Sequence, residues 1–192
     1  KGVQPILDSE KKISIVFNGE IYNFKKLKII LQSKGYTFLS GTDTEVVLYM
    51  YKHFGESFVE YLEGMFAIVI YDSEKKHVLA YRDRFGIKPL YIYHKNSFFV
   101  LCSQVKPLLN VKNIDLSYSD QGHISFLMWG SVSEPNTLYK YINSVETGTY
   151  IKINKNGLFE KKYFDLKKYS FEEKNSSLEE SLFNTIEKHT IS

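Results

Sequence analysis

Hydrophobic and polar positions divide this chain into helical and extended segments. Apolar residues at helical spacing predict helices over residues 24–34 and from residue 42 onward. Runs of β-branched and aromatic residues predict strands over residues 13–17 and 65–71. The second run is apolar throughout, which is typical of a strand covered on both faces. A polar turn after it predicts a hairpin with residues 77–82.

Two more hairpins are predicted further along the chain. They pair residues 90–94 with 98–103 and residues 148–153 with 158–164. Apolar spacing predicts a short helix near residues 119–130, and a capping box predicts a last helix that begins at Ser176 or Ser177. Because the strands form hairpins and the first two helices are consecutive, the pattern favours an α+β fold. In such a fold antiparallel sheets carry helices in outer layers, and a βαβ series is not expected.

Composition and charge narrow the class of protein. The chain has 192 residues, of which 43% are hydrophobic and 24% charged, as expected for one globular domain with a sizeable core. The net charge is only +3, and Arg82 and Arg84 are the only arginines among 25 basic residues. Nucleic-acid binding is therefore not expected.

The sequence also bears on the compartment. A single cysteine excludes an internal disulfide and fits a reducing environment. No apolar run approaches the roughly 20 residues that span a bilayer, and no signal peptide is recognisable. A cytoplasmic protein that does not engage a membrane is expected. Because the chain opens without Met, we expect it to be an internal piece of something longer.

An Asn-Gly-Glu sequence follows the first strongly apolar strand. Asn18 and Gly19 both tolerate positive φ, so one interpretation is a type I′ hairpin turn at the tip of the strand. The chemical interpretation is that the Asn18 amide and a free Gly19 N–H face outward as two neutral donors, as an oxyanion hole requires. Glu20 adds a carboxylate that suits an ammonium group. The residues alone leave both interpretations open.

The start of the second helix carries another candidate. Thr42 and Glu45 form a capping-box pattern, which by itself indicates only a well-made helix start. Asp43 lies in the first turn of this helix, where its carboxylate can also face a ligand.

Three other features favour structural roles. Residues 82–89 contain two arginines but no glycine-rich cradle, so a structural Arg–Asp loop is favoured over a phosphate site. Cys102 lies near the end of an apolar strand with no adjacent histidine, so we expect a buried structural thiol and not a nucleophile. The five histidines show no ligand spacing, so no metal site is expected.

Four segments together resemble the glutaminase domain of glutamine-hydrolysing asparagine synthetases, in the family's order and spacing. They are Phe-Asn-Gly-Glu-Ile-Tyr-Asn at residues 17–23, Thr-Asp-Thr-Glu-Val at 42–46, Leu-Glu-Gly-Met-Phe-Ala at 62–67, and Arg-Asp-Arg-Phe-Gly-Ile-Lys-Pro-Leu-Tyr at 82–91. Residues 134–140 and 148–150 are similar to the family's segment that leads into the synthetase domain. The likeness implies a four-layer αββα sandwich of antiparallel sheets, the fold of the N-terminal-nucleophile (Ntn) hydrolases.

The resemblance also implies a mechanism. In the family, the thiolate of a cysteine at the mature N-terminus attacks the side-chain amide of glutamine, forms a thioester and releases ammonia. Asn18 and Gly19 match the family's oxyanion hole, and Glu20 and Asp43 match residues that bind the α-ammonium group of the substrate. The catalytic cysteine and an upstream arginine have no match, because residue 1 aligns several dozen residues into the family domain. We therefore expect an N-terminally truncated domain that is inactive alone.

The implied organisation is a glutaminase domain over residues 1–166, followed by a linker and a first helix over residues 167–192. In the family, the next domain uses ATP and Mg²⁺ to adenylate aspartate and receives the ammonia, so no cofactor is expected in this chain. Glutamine and that synthetase domain are the expected partners, and a homodimer is left open. Two alternatives remain: an amidotransferase for another acceptor, such as a sugar acid in polysaccharide synthesis, and a non-catalytic module that kept the fold.

Overall fold

The computed structural model describes residues 3–168 and 177–190. The strands in these ranges are β1 (Ile6–Leu7), β2 (Ile13–Ile21), β3 (Gly64–Asp72), β4 (His77–Arg82), β5 (Tyr91–Lys95), β6 (Phe98–Cys102), β7 (Ile142–Ser144), β8 (Thr149–Asn154) and β9 (Gly157–Lys162). The helices are α1 (Phe24–Ser33), α2 (Asp43–Phe54), α3 (Val105–Leu108), α4 (Asp120–Trp129) and α5 (Leu178–His189), with 3₁₀ segments at Gly55–Tyr61 and Leu166–Lys168.

The strands form two antiparallel sheets. The larger sheet has the order β1-β2-β3-β4-β8-β9, and the smaller has the order β6-β5-β7. The three predicted hairpins, β3–β4, β5–β6 and β8–β9, are all present. The larger sheet positions the candidate residues, since β2 carries three of the four.

Three clusters of buried apolar side chains separate four layers. The first cluster, which includes Tyr51, lies between α1, α2 and one face of the larger sheet. The second, which includes Ile92, fills the space between the two sheets. The third, which includes Leu108, packs α3 against the outer face of the smaller sheet. The order helix, sheet, sheet, helix confirms the expected αββα sandwich.

Strand β3 lies at the centre of this arrangement. It pairs with β2 on one side and with β4 on the other. Its side chains alternate between the layers, with Ile68 and Ile70 in the cluster under the helices and Ala67 in the cluster between the sheets. The apolar run at residues 65–71 is thus a strand covered on both faces, as predicted.

Helix α2 begins where the capping pattern predicts, but only half of the capping box forms. Thr42 Oγ1 accepts a hydrogen bond from Glu45 N–H at 3.4 Å. The Glu45 carboxylate does not reach back to Thr42; it accepts from Leu39 N–H at 2.8 Å, and from Ser40 N–H and Oγ–H at 2.7 and 2.6 Å. Glu45 is buried, so these three bonds satisfy its charge and fix the loop before α2.

The predicted turn at Asn18 and Gly19 is wrong. Strand β2 continues through both residues, with Asn18 opposite Ala67 and Gly19 opposite Phe66. A Cβ atom at Gly19 would lie 2.2 Å from the Met65 carbonyl oxygen. The glycine is therefore required by the close approach of two backbones, not by a turn.

The chain turns after Ile21 instead, and Asn23 stabilises this turn. Its side-chain amide donates to Tyr61 O at 2.9 Å and accepts from Glu63 N–H at 3.1 Å.

Strands β1 and β7 and the 3₁₀ segment Gly55–Tyr61 were not predicted. At the other end, Ser177 caps α5 by accepting from Glu180 N–H at 3.1 Å, as one of the two capping interpretations predicted. Ser176 and most of the predicted linker lie outside the described residues.

Candidate active site

The backbone of β2 presents a row of N–H groups along the edge that β1 covers only in part. The N–H of Ile13 donates to Asp8 at 2.9 Å, and the N–H of Phe17 donates to Gln4 Oε1 at 2.7 Å. The N–H of Ile21 donates to Asp43 at 3.1 Å. Because N–H direction alternates along a strand, these odd-numbered residues all point away from β3.

The Gly19 N–H belongs to the same row. It lies between the Phe17 N–H and the Ile21 N–H, and the alternation directs it away from β3. β1 pairs only with Ser14 and Ile15, so it does not reach Gly19. Within the described residues, therefore, the Gly19 N–H has no acceptor. The free backbone donor that the sequence predicted is present, although the turn that was to expose it is not.

The Asn18 and Glu20 side chains share one face of β2. Phe17 and Ile21 point into the cluster under the helices, so Asn18 and Glu20 point to the opposite face. That face is open here, because Val16 on it is 50% exposed and Asn18 is exposed as well. Neither the Asn18 amide nor the Glu20 carboxylate makes a side-chain hydrogen bond or ion pair with any described residue.

Asp43 reaches the same end of β2 from the helix layer. Its Oδ2 accepts from Ile21 N–H at 3.1 Å and its Oδ1 accepts from Thr44 Oγ–H at 3.4 Å. Burial raises the pKa of the Asp43 carboxyl above its ordinary value, and the Ile21 N–H opposes that rise. A cationic group nearby would lower the pKa again, so this carboxylate is suited to a cationic ligand.

The four candidates thus lie around the last residues of β2. Two concave surfaces of the described residues, of about 720 and 790 Å³, are lined by none of the four candidates. The candidate site is therefore an edge of the larger sheet with two neutral donors and two carboxylates.

One contact at this end was not predicted. Tyr22, which follows β2, packs against His189 of α5 with ring centroids 4.5 Å apart and the ring planes tilted by 52°, and its hydroxyl lies 3.1 Å from His189 Nδ1. Lys188 also forms an ion pair with Glu63 at 2.8 Å. The C-terminal end of α5 therefore rests beside the candidate site. No local pattern joins residues this far apart in sequence.

The Arg–Asp loop is structural, as predicted. All donor groups of the buried Arg82 guanidinium are used: they bind the Glu134 carboxylate at 2.8 and 3.0 Å and the carbonyl oxygens of Val145, Gly86 and Lys88. The Asp83 carboxylate accepts from four backbone N–H groups, those of Phe66, Phe85, Ile87 and Lys88. Arg82 therefore has no donor left for a phosphate.

Cys102 follows the sequence-based expectation only in part. Cys102 ends β6 opposite Tyr91 and packs against the cluster under α3, but it is half-buried and not fully enclosed. Residues 3–168 and 177–190 contain no group of three or more metal-binding side chains that could hold an ion. In the same ranges, no helix is long and apolar enough to cross a membrane.

Comparison with known proteins defines the class. A family model described as a glutamine amidotransferase domain matches residues 1–164, so this chain belongs to that family. It is 36% identical over 156 residues to asparagine synthetase [glutamine-hydrolyzing] 1 of Bacillus subtilis, and 32% identical over 158 residues to asparagine synthetase 2 of the same organism. These matches cover 81% and 80% of this chain but only 24% and 21% of the two relatives. The chain is thus homologous to about a quarter of a longer protein.

Other matches widen the picture. The chain is 38% identical over 109 residues to amidase chry2 of Gibberella zeae, which covers 56% of this chain and 16% of that protein. Among solved structures, one match is glutamine phosphoribosylpyrophosphate amidotransferase from B. subtilis, with a TM-score of 0.59 and 21% identity. The match covers 84% of this chain and 32% of the amidotransferase chain. An allosteric regulatory enzyme of purine biosynthesis also matches 84% of this chain, with a TM-score of 0.59 and 22% identity. These two structures support the Ntn-type amidotransferase fold alone.

Proposed function

We propose that this chain forms the substrate-binding part of a glutaminase that supplies ammonia to an asparagine synthetase-like enzyme. The observation that carries this proposal is the Gly19 N–H, which has no acceptor among the described residues although the N–H groups two residues before and after it are both bonded. An unpaired donor at a strand edge beside an uncommitted Asn18 amide is the arrangement that stabilises a tetrahedral oxyanion.

The carboxylates define the orientation of the substrate. Glu20 follows the two donors on the strand, and Asp43 is fixed to the next peptide N–H. A glutamine whose side-chain amide meets Asn18 and Gly19 would direct its α-ammonium group toward these two acids. The ammonium charge would offset the burial that raises the pKa of Asp43.

The nucleophile is not among these four residues. Covalent hydrolysis of an amide requires a thiolate or an activated hydroxyl, and the oxyanion donors only stabilise the adduct that it forms. Cys102 packs under α3 on the smaller sheet, in a different layer from β2. We therefore assign nucleophilic attack to an N-terminal cysteine of a longer protein, and we expect residues 1–192 alone to release no ammonia.

The longer protein also supplies the reaction that uses the ammonia. Residues 1–166 form the glutaminase domain in this proposal, and residues 167–192 lead into an ATP- and Mg²⁺-dependent domain that amidates aspartate. The exposed apolar residues of α5 support a covering partner, because Leu178, Leu182 and Ile186 are 77%, 54% and 63% exposed at helical spacing. The second copy of a homodimer is the other occupant that such a face would accept.

A second candidate function shares the same site. The match to an amidase shows that this domain also occurs in a protein that is not named as an asparagine synthetase. The ammonia could then serve another acceptor, such as a sugar acid. A non-catalytic module is the third alternative, and it predicts no cysteine upstream of Lys1.

The experiment compares glutamate release from glutamine by the folded 192-residue chain and by the natural protein extended upstream to its first cysteine. We expect turnover only in the extended protein, and we expect it to be lost when that cysteine is changed to alanine. Circular dichroism must show that both proteins fold. Equal turnover by the two proteins would refute the thiolate scheme, and an extended protein without a cysteine or without turnover would favour the non-catalytic module.

A further inference from the structure

A cleft of about 720 Å³ lies on the helix side of the larger sheet, away from the candidate active site. It is bounded by the 3₁₀ segment Gly55–Tyr61 on one side and by β4, β8 and β9 on the other. Strand β3 separates β2 from β4, the nearest strand of the cleft, so at least two strand spacings of about 4.8 Å lie between the cleft and the Asn18 strand. Its volume is in the range of small-molecule sites.

The positive and negative side chains of this cleft come from different secondary-structure elements. The sheet and the β3–β4 turn contribute Lys152, Lys161 and Lys75. The 3₁₀ segment contributes both carboxylates, Glu56 and Glu60. One wall is therefore cationic and the opposite wall is anionic.

Some of these charges are already paired. Glu56 accepts from Lys152 Nζ–H at 2.6 Å and from the Tyr150 hydroxyl at 2.9 Å. Lys75 lies 3.5 Å from the Asp72 carboxylate. Lys161 and Glu60, in contrast, form no side-chain ion pair or hydrogen bond within the described residues. One unpaired charge of each sign thus faces the cleft from opposite walls.

His77 adds an acceptor at the base of the cleft. The Tyr51 hydroxyl donates to Asp72 at 2.8 Å, so its oxygen accepts from His77 Nε2–H at 2.9 Å. Burial lowers the pKa of His77, which keeps the ring neutral with its lone pair on Nδ1. His77 is only 4% exposed and lines the cleft, and its Nδ1 has no partner among the described residues. His77 Nδ1 is therefore available to accept a hydrogen bond from a ligand.

We propose that this cleft binds a free α-amino acid, with its carboxylate toward Lys161 and Lys152 and its ammonium group toward Glu60. A zwitterion matches a cavity with one cationic and one anionic wall, whereas a simple anion would meet the two carboxylates of the 3₁₀ segment. His77 Nδ1 accepts a hydrogen bond from the ligand, and Tyr150 and Tyr163 provide apolar surface for its carbon chain. This site is separate from the proposed glutamine site.

Isothermal titration of the 192-residue chain with three matched probes tests the proposal. L-Asparagine carries both charges, succinamate lacks only the ammonium group, and 3-aminopropanamide lacks only the carboxylate. We expect L-asparagine to bind saturably and each of the other probes to bind at least about tenfold more weakly, the effect of one lost charged contact. Equal binding of succinamate would show an anion site, and absence of L-asparagine binding would overturn the proposal.

Matched variants locate the bound probe. Lys161→Met should weaken L-asparagine binding about tenfold, while Lys162→Met, on the opposite face of β9, should leave it unchanged. Glu60→Gln should weaken it similarly, and Glu179→Gln on exposed α5 should not. Thermal unfolding confirms that each variant folds. Loss of binding in Asp43→Asn with no change in Lys161→Met would place the probe at the candidate active site and refute the proposal.

Discussion

The Asp43 carboxylate accepts a hydrogen bond from the Ile21 N–H at 3.1 Å. This bond joins the first turn of α2 to the last residue of β2, two elements that the sequence places 22 residues apart. It has two consequences. It fixes the Asp43 carboxylate at the end of β2. It also occupies the N–H that follows Gly19 in the edge row, so that the Gly19 N–H alone remains available there.

The two roles of Asp43 can be separated by substitution. In the longer protein, Asp43→Asn retains an oxygen that can accept from Ile21 N–H but removes the charge. We expect it to raise the KM for glutamine about 10- to 100-fold, the effect of losing a charged hydrogen bond, without a loss of thermal stability. Asp43→Ala should raise KM similarly and also lower the Tm. A normal KM in Asp43→Asn would show that Asp43 serves only to join α2 to β2.

Asn18→Ala tests the oxyanion hole in the same longer protein. Loss of one oxyanion donor should lower glutamine-dependent turnover by roughly 10²–10³. Synthesis with added ammonia should be unaffected, because that reaction bypasses the thioester. The assay measures amide product with glutamine and with ammonium chloride as nitrogen sources. An equal loss with both sources would show that Asn18 is structural.

The Asn18 segment also shows where sequence reasoning fails. Asn-Gly after an apolar run is a strong local turn signal. The strand continues because β3 provides a partner for every residue from Ile13 to Ile21, and because glycines on both strands permit a close approach. Pairing between distant segments overrides the local preference, and no local pattern contains that pairing.

Other elements were predictable because their signals are local. Thr42 caps α2 through a neighbour three residues away, and the apolar run of β3 needs no partner to be recognised. The hydrogen bonds from Tyr51 to Asp72 and His77 span 21 and 26 residues, so the buried polar network and the cleft above it could not be predicted. The residues alone left the roles of the four candidates open, and the proposed assignment of all four rests on family resemblance, since Asp43 and Glu20 share no local motif.

Gly64 tests the close approach of β2 and β3. A Cβ atom there would lie 2.2 Å from the Glu20 carbonyl oxygen, which is backbone and cannot move aside alone. We expect Gly64→Ala to lower the free energy of unfolding by about 2–3 kcal/mol, as overpacking does. Gly41→Ala is the matched control, because no atom lies within 4 Å of its added Cβ. Equal stability of the two variants in urea would contradict the strand geometry described above.

Cys102→Ser tests whether the single cysteine of this sequence has a structural role and is not the nucleophile. The thiol packs beside Tyr91 and the cluster under α3, so a hydroxyl there should cost about 1 kcal/mol of stability. Glutaminase turnover of the longer protein should not change. Loss of turnover in a folded variant would mean that the nucleophile has been misassigned.

The pH dependence of stability should depend on His77. Burial lowers the pKa of this imidazole below 6.5, and the positive charge of Lys152 acts in the same direction. As pH falls through 6.5, the unfolded chain gains a proton at this position before the folded chain does, so the free energy of unfolding decreases. The pKa of Asp72 is also lowered in the folded state, since hydrogen bonds from Lys75 N–H and Tyr51 outweigh its burial, but that contribution is lost only below about pH 4. Of these two groups, only His77 contributes to the decrease between pH 7.5 and 5.5.

His77→Gln should reduce this decrease because glutamine does not titrate but can still donate to the Tyr51 oxygen. The measurement is the difference in the free energy of unfolding in urea between pH 7.5 and 5.5, which is independent of the variant's absolute stability. His53→Gln, at an exposed position of α2, is the control and should keep the wild-type difference. An NMR titration of the His77 ring in the native chain gives a second, direct readout. If the two variants show the same pH dependence, or if the His77 ring titrates at or above pH 6.5, then His77 is not the neutral acceptor that the cleft requires.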